Sequence, residues 1–218
     1  MAKINHDLRN TLTSAQLLSD QVATLDDPEV QRLAPRLVTT LDRAIGFAQS
    51  VLDYGRQTSV PPVLTATAIR PLVEEAAFDA RLSGHPSIAF ADQAPADLVM
   101  RVDAGQMGRV LLNLLKNARE ALEAAGNKVT APTVTLSVVA DAHGTTLSVA
   151  DNGLGLPPRA RDKLFVAFEG SARAGGTGLC LAIAREIVVA HGGQLSFVDQ
   201  PVGTRFDVFL PSTLLVKN

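Results

Sequence analysis

The chain has 218 residues, of which 46% are hydrophobic and only 4% aromatic, so we expect one or two domains with an aliphatic core. Its formal net charge of −2 excludes the basic field that nucleic-acid binding or attachment to an anionic membrane requires. The single cysteine, Cys180, excludes an internal disulfide framework and suits a reducing cytoplasm. No apolar run approaches the roughly 18 residues that span a bilayer. We therefore expect a cytoplasmic segment without membrane contact, either complete or cut from a longer, membrane-bound protein.

The first region has a helical pattern. Apolar residues recur every three or four positions over 4–22 and again over 30–51, which predicts two amphipathic helices. The sequence LDDPE separates them, with Asp27 as a helix cap and Pro28 in the first helical position. Pro35 should kink the second helix, because its ring displaces a backbone hydrogen bond.

The predicted helical hairpin leaves apolar surface uncovered. One hairpin cannot enclose both of its apolar stripes, whereas two hairpins can do so as a four-helix bundle. We therefore favour a homodimer over packing of the hairpin on the rest of its own chain. Gly, Pro and Ser then interrupt the pattern in GRQTSVPPV, residues 55–63. The domain prediction is a hairpin at 1–57, a linker at 58–66 and a second domain at 67–218.

The second domain mixes helices and strands. In chain order, the patterns predict a helix at 71–82, strands at 87–91 and 97–102, a helix from the cap Asp103 to about 125, strands at 133–139 and 145–150, a Gly- and Arg-rich stretch at 152–176, a helix at 177–190, and strands at 194–198 and 204–210. Several adjacent strands form hairpins rather than βαβ units. This predicts an α+β sandwich in which helices cover one sheet.

Three motifs in this domain carry polar or glycine residues at informative positions. Asn113 and Asn117 share one face of the long helix amid leucines, where amides need a partner such as a ligand or metal, unless they are exposed or capping groups. DNGLGLP follows a strand, and its glycines at 153 and 155 let a ring or phosphate approach the main chain beside Asp151, although an ordinary turn has the same pattern. GGTGLCLAIA, residues 175–184, opens a helix with free amides that suit a phosphate, without the Lys of a P-loop.

The order and spacing of these motifs, followed by GTRF at 203–206, resemble the GHKL ATP-binding fold. That family includes histidine kinases, type II topoisomerases, MutL-type repair proteins and heat-shock chaperones, and the resemblance covers roughly residues 60–211. It implies that Asn113 occupies the position of the glutamate that activates water in the hydrolases. An amide cannot accept that proton, so we expect a nucleophile other than water, and histidine kinases have asparagine there.

The stretch HDLRNTL supplies such a nucleophile. It resembles the phosphoacceptor box of sensor histidine kinases, with Asn10 in place of the usual Thr and Thr11 in place of the usual Pro. At about 100° per residue, His6 lies opposite the apolar stripe of its helix and faces solvent, with Asn10 on the same face. The adjacent Asp7 can hold the imidazole in the tautomer that attacks.

The resemblance implies a two-component reaction and a set of site residues. His6 would take a phosphoryl group from Mg-ATP and pass it to an aspartate of the receiver domain of a response regulator. Asn117 would hold Mg²⁺, and Asp151 would contact the adenine amine, aided by Thr204 through water. The remaining nucleotide contacts implied are Asn113, Gly153, Gly155, Lys163, Arg173, Gly176, Thr177, Gly178 and Leu179, the last four presenting amides to the phosphates.

Further features refine this interpretation. Asp7 followed by Asn10 fits the family pattern for phosphatase activity towards the regulator, which implies a bifunctional enzyme. The sequence NAREA, residues 117–121, follows the NA-x-x-A pattern of nitrogen-regulator-like kinases. Cys180 replaces a customary glycine of the family, a change that we expect to alter ATP affinity. His85 and His143 are expected in loops, and His191 as a cation at a helix C terminus. The alternatives are a non-catalytic phosphotransfer scaffold with a degenerate ATP domain and a GHKL ATPase or chaperone.

Overall fold

Two parts of the structure follow the two regions of the sequence, helices first and then a mixed sheet with helices. The computed structural model describes residues 14–15, 17–18, 21–22, 24, 26–57, 61–167 and 178–216. Within 14–22, the described residues are helical. No helix in the described ranges has both the length and the apolar content that crossing a membrane requires.

Helix α1, Pro28–Gln57, is the second arm of the predicted hairpin. The carboxylate of Asp27 caps it, because Oδ1 accepts hydrogen bonds from the N–H groups of Glu29 (2.8 Å) and Val30 (3.2 Å). The cap and the position of Pro28 are as predicted. The helix continues through Pro35 and Gly55, so the first three residues of the expected break at 55–63 are helical.

Seven strands follow in the ranges 61–167 and 178–216 that the structure describes. Their bounds are β1 Thr65–Ala68, β2 Ala89–Gln93, β3 Val99–Val102, β4 Thr133–Ala140, β5 Gly144–Asp151, β6 Gln194–Val198 and β7 Thr204–Pro211. Five of them form the main sheet in the order β2-β4-β5-β7-β6, in which only the β2–β4 pair is parallel. β1 and β3 pair separately and antiparallel. The sequence does not predict β1, because Thr and Ala alternate there without an apolar stripe.

The described part of the second domain also has four α-helices, α2 Ile69–Asp79, α3 Ala104–Ala125, α4 Pro158–Arg161 and α5 Cys180–Ala190. The sequence pattern predicts the end of α2 at 82, but the helix ends three residues earlier. Arg81 takes a positive φ of 57° there, and the N–H groups of Leu82 and Arg81 donate to the carbonyls of Ala77 and Phe78, each at 2.9 Å. This is a Schellman ending without glycine, so the residue that usually marks such an ending is missing.

The core lies between the sheet and the helices on one of its faces. It is aliphatic, as the low aromatic content predicts, and α3 contributes Met107, Leu111, Leu114 and Leu115, all fully buried. Alternate residues of the strands, including Leu136, Leu147, Val149, Val208 and Leu210, face the same core. This arrangement confirms the predicted α+β sandwich.

Candidate functional site

The candidate site lies where β5 ends and β7 begins. Asp151 is the last residue of β5 and Thr204 the first of β7, and the antiparallel register places them directly opposite each other. Both are buried, with 7% and 6% of their surface exposed. Buried polar side chains require polar partners, so this pair at the ends of two inner strands is suited to recognise a polar ligand.

The turn after β5 is shaped around the carboxylate of Asp151. Its Oδ1 accepts a hydrogen bond from the N–H of Gly153 at 2.8 Å. A Cβ at Gly153 would lie 2.7 Å from the same oxygen, closer than any side chain permits. Glycine at 153 therefore keeps the carboxylate accessible from the turn.

Two further glycines bring the backbone of this turn against the start of β7. Gly155 and Gly203 have positive φ angles of 73° and 77°. A Cβ at Gly155 would lie 3.1 Å from the carbonyl oxygen of Gly203, and one at Gly203 would lie 1.7 Å from that of Asp151. Gly203 is not among the predicted site residues, although it opens the GTRF motif, because its contact with Asp151 depends on the β5–β7 register.

Asn113 joins two helices beside this turn. Its Nδ2 donates a hydrogen bond to the carbonyl oxygen of Cys180, the first residue of α5, at 3.1 Å. Asn117 lies one turn further along the same face of α3, and both amides are half-buried. The face predicted from their spacing is therefore directed towards the beginning of α5.

The start of α5 has no side-chain cap among the described residues. Gly178 has a positive φ of 66°, and Leu179, which is fully buried, provides no side-chain cap. Helix α5 begins at Cys180 and not at Thr177 as predicted. The first amides of a helix lack intrahelical partners and favour an anion. Gly176, Thr177 and Arg173 lie outside the described residues, as do His6, Asp7 and Asn10.

The segment containing Lys163 is attached to the sheet and to α5. Lys163 itself is exposed, whereas Leu164 is buried. The ring of Phe165 packs edge-on against Phe206 of β7, with centroids 6.3 Å apart, and the guanidinium of Arg185 of α5 lies 5.7 Å from its centroid. These aromatic and cation–π contacts attach the chain at Phe165 to both β7 and α5.

His191 has a different environment from the one expected. It follows the last residue of α5, as predicted, but it is 4% exposed and does not act as a surface cation. Its Nε2 lies 3.1 Å from the backbone N–H of Asp103, which donates to it, and its Nδ1 lies 2.8 Å from the carbonyl oxygen of Ile187. Nε2 must be unprotonated to accept, so Nδ1 carries the proton.

No group of three acidic, histidine or cysteine side chains within the described ranges could hold a metal ion alone. A half-buried asparagine oxygen is a suitable ligand for Mg²⁺, which commonly binds through one or two protein groups and substrate phosphates. Asn117, one turn beyond the residue that contacts the start of α5, is therefore a side chain of the right chemistry to hold such a metal together with an anionic ligand.

Comparison with known proteins agrees with this architecture. Residues 102–214 match the family described as "Histidine kinase-, DNA gyrase B-, and HSP90-like ATPase". Because this match covers half of the chain, from the strand before α3 to the end of β7, the chain belongs to that family of ATPases. Sensor histidine kinases are among its sequence relatives.

One such relative is the sensory histidine kinase/phosphatase NtrB of Escherichia coli O157:H7. It is 31% identical over 216 residues, which are 94% of this chain and 60% of the relative. The chain spans between 27% and 60% of the length of the first curated relatives that it matches.

Two solved structures have the same fold. Full-length ShkA in complex with AMPPNP superposes with a TM-score of 0.68 at 24% identity, covering 96% of this chain and 45% of that one. Histidine kinase ThkA in complex with response regulator protein TrrA gives a TM-score of 0.66 at 23% identity, covering 96% of this chain and 60% of that one.

Proposed function

We propose that this chain is the core of a two-component kinase that autophosphorylates His6 from Mg-ATP and then phosphorylates an aspartate of a response regulator. The observation that carries the proposal is a set of four features around the point where β5 ends and β7 begins. These are the buried Asp151–Thr204 pair, the close-packed glycines 153, 155 and 203, the capless start of α5, and an asparagine at 113 where water activation requires a base.

ATP is the substrate that these groups suit. The carboxylate of Asp151 can accept a hydrogen bond from the exocyclic amine of adenine, and Thr204 lies opposite it to support a bridging water. Gly153 and Gly155 let the turn pack closely against Asp151 and Gly203, which holds the carboxylate in place. The amides at Gly178 and Leu179 would face the phosphates, with Gly176, Thr177, Lys163 and Arg173 as further proposed contacts.

Asn117 is the residue that would hold Mg²⁺ in this arrangement, and the bound ion would neutralise phosphate charge. Asn113 donates its amide to Cys180 and cannot remove a proton from water. Water is then poorly activated, so the γ-phosphoryl group is retained for a better nucleophile. A nitrogen of His6 forms the N–P bond as the bond from phosphorus to the bridging oxygen breaks and ADP leaves, with Asp7 orienting the imidazole.

Autophosphorylation with γ-labelled ATP tests this function. We expect Mg²⁺-dependent label that is stable to alkali and lost in acid, and no label on the His6→Gln variant. The control is binding of a fluorescent ATP analogue, which His6→Gln should leave unchanged because His6 is outside the nucleotide site. Wild-type protein that binds ATP but acquires no label would contradict the kinase proposal, and label on His6→Gln would contradict the acceptor.

A response regulator is the proposed partner, and the same core is proposed to dephosphorylate it. NtrB is named as both kinase and phosphatase, and the fold of ThkA is known with a response regulator. Asp7 and Asn10 would orient the attacking water. Asn10→Ala should slow loss of phosphate from a phosphorylated receiver domain at least about tenfold while autophosphorylation stays within about twofold. Equal loss of both activities would remove Asn10 from the phosphatase step.

We also propose that the core acts as a homodimer in the cytoplasm. The hairpin carries large apolar side chains that the single chain leaves uncovered: Leu17 is 59% exposed, Leu18 62%, Leu33 50% and Leu37 47%. Exposed apolar groups in such number favour a second helical surface. A four-helix bundle of two hairpins would cover them.

A further inference from the structure

Helix α5 is joined at both of its ends to α3, once near the middle of α3 and once at its start. At one end, the amide of Asn113 donates to the carbonyl of Cys180, and at the other, the N–H of Asp103 donates to Nε2 of His191. The two bonds are ten residues apart on α3 and eleven on α5, about 15 Å on each helix at 1.5 Å per residue. The helices therefore run antiparallel as one frame, with the nucleotide site at one end and Asp103 at the other.

The carboxylate of Asp103 has two separate tasks at its end of the frame. Oδ1 accepts from the N–H of Gln106 at 3.0 Å and caps α3, while Oδ2 accepts from the N–H of Val63 at 3.0 Å. Val63 belongs to the segment 61–64, which leads from the hairpin region into β1. One side chain thus fixes the start of α3 and the point where the chain enters the second domain.

His191 secures the backbone of the same residue. It is buried, its Nδ1 proton is directed to the carbonyl of Ile187, and its Nε2 receives the N–H of Asp103. A continuous series of hydrogen bonds therefore connects Val63, Asp103, His191 and the last turn of α5.

We infer that Asp103 is a positioning residue for phosphoryl transfer, which holds segment 61–64 on the α3–α5 frame and so sets the approach of the nucleotide site to the phosphoacceptor hairpin. This inference rests on the proposed function, because only transfer between the two domains makes their relative placement matter. Holding reactants in one geometry lowers the barrier of the transfer without changing the affinity for either of them. Asp103 lies at the far end of α3 from Asn117, so it does not contact ATP.

The variant Asp103→Asn separates the two tasks of the carboxylate. Asparagine is an equally good helix cap, but its amide nitrogen cannot accept a hydrogen bond, so only one of the two acceptors remains. The matched control is Asp141→Asn, because a single oxygen of Asp141 accepts from the N–H groups of His143 (2.7 Å) and Gly144 (3.0 Å) in the β4–β5 turn. Asparagine keeps both of those bonds, at the end of β5 opposite to Asp151.

The test measures autophosphorylation of the full chain at saturating ATP together with ATP affinity and thermal unfolding. For Asp103→Asn we expect the rate constant to fall about five- to tenfold, as the loss of one hydrogen bond to a charged group allows, with the Kd for ATP within about twofold. Asp141→Asn should match the wild type in both. An unchanged or higher rate, or a rate that falls only in proportion to ATP affinity or folded fraction, would overturn the inference.

Hydrogen–deuterium exchange at single amides tests the contact itself and does not depend on catalysis. In Asp103→Asn the Val63 amide should exchange at least about tenfold faster, whereas the amide at position 103, which donates to His191, should keep its protection. Unchanged exchange at Val63 would also overturn the inference. Absence of label on wild-type protein would instead count against the proposed function alone.

Discussion

Gly203 is the residue at which the site tolerates least change. Its φ is 77°, and the position of its missing Cβ lies 1.7 Å from the carbonyl oxygen of Asp151. The obstacle is backbone of the neighbouring strand, which cannot move without breaking the β5–β7 ladder. A residue larger than glycine at 203 would therefore displace Asp151, whose carboxylate we propose contacts adenine.

The variant Gly203→Ala should therefore lower both stability and ATP affinity. The control is Gly84→Ala, since Gly84 has a similar φ of 70° but nothing within 4 Å of the added Cβ. Gly84→Ala should cost about 1–2 kcal/mol in free energy of unfolding for the left-handed backbone alone, and Gly203→Ala clearly more. Urea denaturation and ATP titration measure both quantities. Equal stability losses in the two variants would mean that the contact with Asp151 relaxes at little cost.

Single residues differ in how far the sequence predicts them. The position of Asp151 at the end of a strand follows from the sequence pattern, whereas its proposed contact with adenine comes from the family resemblance, because an ordinary turn has the same Asp-x-Gly-x-Gly pattern. His191 and Gly203 cannot be assigned correctly in that way, because their partners, Asp103 and Asp151, are 88 and 52 positions away along the chain. Such contacts follow from helix packing and strand register, which local patterns do not specify.

At the scale of the elements, the start of helix α3 is stabilised by the negative charge of its capping residue. Asp103 caps it, and the pKa of this carboxyl is lowered chiefly by the N–H of Gln106, with the N–H groups of Val63 and Gly105 also contributing against the opposing effect of burial. A pKa below the ordinary value means that the ionised form stabilises the fold. That stabilisation is complete above the unfolded-state pKa and is lost as pH falls through the folded-state value.

The stability difference between wild type and Asp103→Asn should follow this titration. We expect a constant difference in free energy of unfolding above about pH 5, which shrinks as pH falls below about 4. Urea denaturation at a series of pH values measures it. Asp97→Asn, at an exposed position before β3, should give a small difference at every pH. A difference for Asp103→Asn that persists unchanged into acid would show that ionisation of Asp103 contributes nothing.

Among the elements, the sequence predicts every strand of the main sheet and every long helix of the second domain. These elements have apolar periodicity and recognisable ends, such as Asp103 before α3. The exceptions, β1 and the end of α2, depend on tertiary contacts. β1 pairs with β3 across more than 30 residues, and α2 ends at an arginine in a conformation that glycine normally adopts.

At the scale of the whole molecule, the exposed leucines of the hairpin predict that two copies of the chain associate. Replacing Leu33 and Leu37 together by Lys should weaken the proposed dimer by about 100-fold or more, because each buried leucine contributes roughly 1.5–3 kcal/mol. Light scattering during size-exclusion chromatography would then give the monomer mass at micromolar concentration. The control is Val139→Lys on β4, which is 65% exposed and outside the hairpin. A Leu33/Leu37 variant that remains dimeric would place the interface elsewhere.

The contact of Arg185 with Phe165 has a consequence for variation at the interior of the second domain. Helix α5 contacts Phe165 through Arg185, Phe165 packs edge-on against Phe206 of β7, and Phe206 packs against Phe197 of β6. Each of these contacts depends on the ring or the cation of its neighbour. Substitutions at positions 165, 185, 197 and 206 should therefore be tolerated in combination more readily than singly.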